Sequence, residues 1–175
     1  MSARNPRPTA SARLDSSAVT STDADFLAHA VRLALENAAA GVPPFGALVV
    51  RDGQLLATGV NTTVRDVDPT AHAEVAAIRA ACRSAGTLEL NGATVYSSCE
   101  PCPMCVATAT LVSVSRVLYA AAKESAASAG FVLPGPAAEL QAAWRSTGTR
   151  VEHVPVPGAD EPFARFVESR PTGSA

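Results

Sequence analysis

The spacing of apolar residues along this chain switches several times between a helical and a strand period, and the order of the switches lays out an α/β protein. Residues 1 to about 20 carry Ser, Ala, Arg, Pro and Thr without apolar periodicity. Such a stretch cannot bury enough surface to offset the entropy of ordering, so a disordered tail is expected there, followed by one domain over 21–170. Thr22, with Asp25 three residues on, marks a helix start, and Leu27, Ala30, Val31, Ala34 and Ala38 repeat at helical spacing until Gly41 and Pro43. Ala47 to Val50 and Leu55 to Val60 flank Asp52-Gly53, a pair that tolerates the positive φ angles of a tight primed turn, and this predicts an antiparallel hairpin. A second helix is expected from about Ala71 to Ala85, with Val75, Ile78 and Cys82 on its buried stripe and Gly86 as its stop. Thr94 to Ser98 and Val117 to Ala121 read as short buried strands on either side of a third helix. That helix starts near Cys102 and carries Val106, Ala109 and Leu111 or Val112. Strand, helix, strand implies parallel pairing. Beyond Gly130 the pattern predicts a helix from Ala137 to Ser146 and a proline-interrupted edge strand from Val151 to Val156, and it places nothing after that.

Composition narrows the class without changing this layout. At 175 residues and 47% hydrophobic content, the chain can build one compact core. A formal net charge of −2 supplies no broad basic field for polyanions or anionic membranes, which favours a small, weakly charged substrate over nucleic acid. No apolar run reaches bilayer length and no secretory signal pattern opens the chain, so a cytoplasmic location is expected. Cys99, Cys102 and Cys105 are bunched while Cys82 sits in a helical pattern, an arrangement that suits reduced thiols rather than a disulfide framework.

The chemistry concentrates at His72, Glu74, Cys102 and Cys105. Three of these are soft metal ligands and the fourth is an unattached carboxylate. Structural zinc is closed by four protein ligands, whereas catalytic zinc keeps three and leaves the fourth position to water or substrate, so the count points to an enzyme with one Zn2+ per subunit. Helical residues two apart face nearly opposite directions, hence His72 and Glu74 meet only at a helix end. Cys102 and Cys105, three apart in a first turn, share a face, and a helix N-terminus favours their thiolates. Pro103 suits the first helical position. Both helices follow strands, so their N-termini should converge at the carboxyl ends of the sheet. Water on such a zinc ion reaches a pKa of about 7. Glu74 is then free to carry a proton from that water to a ring nitrogen and later to protonate a departing amine, which makes the expected reaction hydrolytic deamination of an amidine-like carbon.

Each fragment alone has a plainer reading. A Cys-x-x-Cys pair also serves structural metal clips and redox couples, and a histidine at a helix start is commonly a cap or surface residue. Their order, with Pro101 ahead of Cys102 and a strand before each helix, favours the catalytic site. Cys99 is expected to be a buried neighbour, His29 to lie on the polar side of the first helix, and His153 to sit on the edge strand. Asn61 reads either as a turn residue or as an amide that binds a base edge. Phe45 and Trp144 read as packing residues.

Pro44-Phe45-Gly46-Ala47, Gly59-Val60-Asn61, Asp68 to Val75 and Ser98 to Cys105 together resemble the cytidine deaminase superfamily, most of all its bacterial guanine deaminases. The similarity covers about residues 23 to 131, and Tyr119-Ala120-Ala121 with Ala126 to Phe131 carries the guanine-deaminase branch. The resemblance implies a three-layer αβα sandwich on a five-stranded mixed sheet, and a homodimer in which a C-terminal segment can be exchanged. It implies zinc on His72, Cys102 and Cys105, proton transfer by Glu74, and substrate contacts from Asn61, Phe45 and Ala73. Glu139 falls near a second carboxylate that assists proton transfer in some relatives. Guanine deaminases of this kind carry acidic residues where Val132 and Leu133 stand here, and an unpaired polar edge in a buried pocket costs about 1–3 kcal/mol. Cytosine, a modified base or a triazine therefore competes with guanine as the expected substrate, unless Glu139 or a C-terminal residue supplies the acceptor. Phe163 and Phe166 are candidates for an aromatic that closes the pocket. A tRNA adenosine deaminase shares the core motif but needs a positive surface, and few Lys or Arg follow residue 130. A non-catalytic zinc module would have no use for Glu74.

Overall fold

The computed structural model describes residues 21–132 and 149–169. The expected tail, the helix from Ala137 to Ser146, and Leu133, Glu139 and Trp144 lie outside the described residues. Five strands form one mixed sheet: β1 (Gly46–Arg51), β2 (Gln54–Val60), β3 (Thr94–Cys99), β4 (Arg116–Ala121) and β5 (Arg150–His153), in the order β2-β1-β3-β4-β5. β1 pairs antiparallel with β2 and β3, whereas β3, β4 and β5 run parallel. The hairpin turn forms as expected, with Asp52 and Gly53 both at positive φ. One irregularity was not expected. The β1–β2 register shifts between Val49 and Val50, and this bulge sets Leu56 and Ala57 together against one core cluster.

The helices are α1 (Ser21–Ala39), α2 (Thr63–Asp66), α3 (Ala73–Ala85), α4 (Pro103–Leu111), α5 (Lys123–Ser128) and α6 (Glu161–Ser169). Alternate strand residues feed two cores. Leu48, Val50, Tyr96 and Leu118 meet Leu27, Val31, Ala126 and Phe163 from α1, α5 and α6. Ala47, Val49, Val95 and Val117 meet Ala73, Ala77, Ile78 and Ala109 from α3 and α4. Helices thus cover both faces, which is the expected three-layer arrangement and explains why β1 is apolar on both sides.

Two glycines fix how closely the helices approach. A Cβ on Gly46 would lie 2.5 Å from the Ala30 carbonyl oxygen of α1, and one on Gly59 would lie 2.4 Å from the Ala73 carbonyl oxygen and the Ala77 nitrogen of α3. The obstacles are backbone atoms that cannot swing aside, so α1 and α3 pack on bare backbone at opposite faces of the hairpin. α3 begins at Ala73 with His72 as its cap, two residues later than the apolar period suggested, and stops at Gly86 in the left-handed region. The expected edge strand is shorter than its pattern and ends at His153, before Pro155. Sequence patterning missed α6 altogether. Its signal was local: Asp160-Glu161-Pro162 is a helix-start sequence, and Phe163 and Phe166 follow at helical spacing.

Candidate metal centre and active site

Parallel β3 and β4 end beside the starts of α3 and α4, and antiparallel β1 and β2 bring Gly46 and Val60 to the same end of the sheet. Everything the sequence singled out for chemistry among the described residues collects there. His72 caps α3 and Cys102 caps α4, both with extended backbone, so each side chain reaches into the space ahead of its helix. Pro103 occupies the first position of α4, where its missing N–H costs nothing.

His72 Nδ1 lies 3.6 Å from the sulfurs of both Cys102 and Cys105, and the sulfurs are 3.5 Å apart. Tetrahedral zinc bonded at about 2.3 Å to sulfur and 2.0 Å to nitrogen separates two sulfurs by about 3.8 Å and sulfur from nitrogen by about 3.5 Å. The triangle fits that ion. Charge gives the same answer. Contact with the Cys105 sulfur, and then with His72, holds Cys102 down to about 4 against the opposing effect of burial. The same contact with Cys102, and then burial, pushes Cys105 well up. The Cys102 bond raises His72. Two thiols and a carboxylate can become anionic here, and among the described residues the charged groups acting on Glu74 are Cys102 and His72, with no Lys or Arg. A divalent cation supplies the missing positive charge and lets both sulfurs be thiolates.

Glu74 is 8% exposed. Its Oε2 lies 3.4 Å from the Cys105 sulfur, and its Oε1 accepts a hydrogen bond from the Ser97 hydroxyl at 3.1 Å. Burial first, and the nearby Cys102 second, push its carboxyl above the usual carboxylate range. Sequence reasoning overlooked Ser97. The residue sits mid-strand with its side chain on the α3 face, where an apolar residue is the usual choice, and a serine in a strand reading Thr-Val-Tyr-Ser-Ser-Cys was the available signal. The next residue works on the opposite face, where the Ser98 hydroxyl accepts the Gly46 N–H at 3.1 Å and ties β1 to β3 at the mouth of the site.

Asn61 is buried and makes the contacts of a turn residue. Its Oδ1 accepts from the Thr63 N–H and hydroxyl, a turn role, while its Nδ2 donates to none of the described residues. Its backbone N–H binds the Phe45 carbonyl at 3.1 Å, and Asn37 Nδ2 donates to its carbonyl at 2.9 Å, so Phe45 and Asn61 are held as one unit beside His72. Phe45 packs edge-on against Phe131 and Phe163, with centroids 5.0 and 5.7 Å away, and Phe131 meets Phe166 at 5.1 Å. Ala73 opens α3, where first-turn N–H groups lack partners within the helix. Cys99 is buried beside the Ala122 carbonyl and outside the ligand triangle, as expected. His29 and His153 also stay out of the triangle; His153 stacks on Tyr119 at the sheet edge. Among the described residues, no helix is long and apolar enough to cross a membrane.

Three soft ligands and a buried carboxylate at two helix starts define a metal-dependent hydrolase. The profile of the cytidine and deoxycytidylate deaminase zinc-binding region matches residues 20–121; the chain belongs to that family and is a zinc-dependent hydrolytic deaminase. It is similar to the guanine deaminase of Bacillus subtilis (strain 168), at 49% identity over 107 residues that make up 61% of this chain and 69% of the relative. The tRNA-specific adenosine deaminase of Aquifex aeolicus (strain VF5) is 38% identical over 55% of this chain and 64% of its own length. The solved structure of guanine deaminase from Bacillus subtilis superposes with a TM-score of 0.59 at 35% identity, covering 86% of this chain and 96% of that one.

Proposed function

We propose that this protein removes an amino group hydrolytically from a free nucleobase-like heterocycle of the kind guanine deaminases accept, with His72, Cys102 and Cys105 as ligands of one zinc ion. The observation that carries this reading is the carboxylate of Glu74, buried against the ligand triangle yet left outside it. Zinc held there supplies a Lewis acid that brings water within reach of deprotonation near neutral pH. Glu74 accepts that proton and gives it to a ring nitrogen, then takes the second proton from the oxygen added to the ring and gives it to the amine that leaves as ammonia, and the Ser97 hydrogen bond keeps the carboxylate aimed while it does so. Asn61 Nδ2 and the Ala73 N–H offer donors to a base edge, and Phe45, braced by Phe131 and Phe163, offers an apolar face. Glu139 is assigned the assisting carboxylate by resemblance alone. We take the assembly as a homodimer, which sedimentation reports directly.

The test is ammonia release by the zinc-loaded protein against guanine, cytosine, adenine, azacytosine, a triazine, their nucleosides and a tRNA anticodon stem-loop. Turnover of a free base with silence on the stem-loop is expected, and Glu74→Gln should lower that turnover about 10²–10⁴-fold with zinc content unchanged. Preference for guanine would mean that another residue replaces the acidic pair absent at Val132 and Leu133. Turnover of the stem-loop alone would overturn the reading in favour of a tRNA deaminase, and full turnover by Glu74→Gln would remove its proton-carrying role.

A further inference from the structure

The last turn of α1 carries a residue whose side chain leaves its own helix for two loops. Asn37 is a poor helix former within Ser21–Ala39, and it is half-buried. One of its Nδ2 hydrogens goes to the Pro43 carbonyl at 2.8 Å and the other to the Asn61 carbonyl at 2.9 Å. The Phe45 N–H also binds the Pro43 carbonyl, at 2.9 Å, and the Asn61 N–H binds the Phe45 carbonyl at 3.1 Å. These bonds close a ring through Asn37, Pro43, Phe45 and Asn61. The stretch that it fixes cannot pair as a strand, because Pro43 and Pro44 are buried and have no N–H to give. The outer ends of the ring are tied to the site. The Gly46 N–H binds the Ser98 hydroxyl at 3.1 Å, and the Thr62 N–H binds the carbonyl of Ala71, one residue before His72, at 3.0 Å. Within the ring the two bonds from Asn37 come from a side chain and the rest are backbone, so Asn37 is where a substitution opens it directly.

We propose that Asn37 is a positioning residue for the substrate, setting Phe45 and Asn61 at the spacing with which they grip a flat heterocycle. The inference rests on the proposed contacts of Phe45 and Asn61 with the base. Both Nδ2 hydrogens of Asn37 are committed to the ring, so it acts through those two residues. α1 lies on the face of the sheet opposite α3 and α4, whose starts carry the ligand triangle and Glu74. Opening the ring therefore loosens the hold on the base and leaves the reacting groups where they are. A grip felt equally in the bound substrate and in the transition state shows in KM and not in kcat.

The experiment is steady-state kinetics of the zinc-loaded full chain on whichever of guanine, cytosine, azacytosine and a triazine it turns over fastest. Asn37→Ala should raise KM about fivefold to tenfold and hold kcat within about twofold, with zinc content unchanged. Asn37→Ser puts one short hydroxyl in place of two amide hydrogens. It should shift KM the same way, and it carries the test if the alanine variant does not fold. Asn61→Ala should raise KM by itself, and in that background the loss of Asn37 should cost less than in the wild type, because one of the groups it places is gone. A purely structural role would multiply the two effects in full. Wild-type KM in both Asn37 variants, a fall in kcat at unchanged KM, or full multiplication in the double variant would overturn the proposal while leaving Asn61 as a base contact. Wild-type KM for Asn61→Ala would remove that contact itself, and the role of Asn37 with it.

Discussion

The two ends of the sheet both bury polar side chains, and they do so in opposite ways. At the amino ends of β3–β5, Tyr96 donates to Asp23 Oδ1 at 2.6 Å. Arg116 lies 3.5 Å from Asp23 Oδ2 and 3.7 Å from Glu152, and Arg150 lies 3.2 Å from the same Glu152 oxygen. Two acids face two arginines, so the charges cancel among themselves, and Asp23 in the first turn of α1 also suits the helix dipole. At the carboxyl ends, Cys102, Cys105 and Glu74 gather three groups that can become anionic, and among the described residues His72 is the one positive group set against them. A self-neutralising cluster needs nothing from outside and clamps helix to sheet. A one-sided cluster stays incomplete until a cation arrives, and that imbalance distinguishes a site from a clamp.

If this contrast is right, stability and activity should respond to different residues. Tyr96→Phe gives the largest expected effect. It deletes a buried hydrogen bond to a carboxylate and should cost about 2 kcal/mol, or roughly 4–8 °C in Tm, with kcat unchanged. The pH dependence fixes the assignment. Burial, followed by the Asp23 bond, raises the Tyr96 phenol above its ordinary pKa of about 10. A raised acid stabilises the fold fully below its unfolded pKa and loses that contribution as pH climbs toward the folded value. Wild-type stability should therefore decline above about pH 10, and Tyr96→Phe should flatten this part of the decline in urea titrations.

At the other end, Ser97→Ala should do the reverse. Loss of one donor to Glu74 should lower kcat about tenfold and leave KM little changed, while urea stability moves by at most about 1 kcal/mol. Ser97→Thr keeps the hydroxyl and should recover most of the rate. A fall in stability equal to that of Tyr96→Phe, with no change in kcat, would place Ser97 among the clamps and dissolve the contrast.

The asymmetry also explains what could be read in advance. A candidate ligand triangle and a carboxylate beside it declare themselves through residue type and short spacing, so the grouping of His72, Glu74, Cys102 and Cys105 was legible from order alone. The position of the helix starts could be argued too, because two residues two apart cannot share a helical face. The clamp gave no such sign. Asp23, Tyr96 and Arg116 are ordinary residues in their own elements, and their meeting depends on strand register across a separation of 73 residues between Asp23 and Tyr96. Ser97 was hidden for the same reason: its partner is chosen by the packing of α3 on β3. α6 escaped although its start signal was local, because one short turn-rich stretch separates it from the edge strand; its two phenylalanines pack against Phe45 and Phe131.

The loop from Asn61 to His72 offers the smallest and most local test of how firmly the carboxyl end is built. Val67 caps α2 at φ 50°, a left-handed conformation that a β-branched residue adopts at a cost, and its side chain is 89% exposed, so no packing offsets that cost. Its N–H is held by the Thr63 carbonyl, while Thr62 binds Asp66 at 2.6 Å on the preceding turn. Val67→Gly relieves the strain but also frees the unfolded chain, and Val67→Asn relieves part of it without that entropy. Val67→Asn should therefore raise stability by about 0.5–1 kcal/mol, or about 1–4 °C in Tm, and Val67→Gly by less. If instead either variant lowers kcat with stability unchanged, the strained turn is holding Asn61 and His72 in place. The carboxyl end would then depend on this loop as much as on the two helix starts.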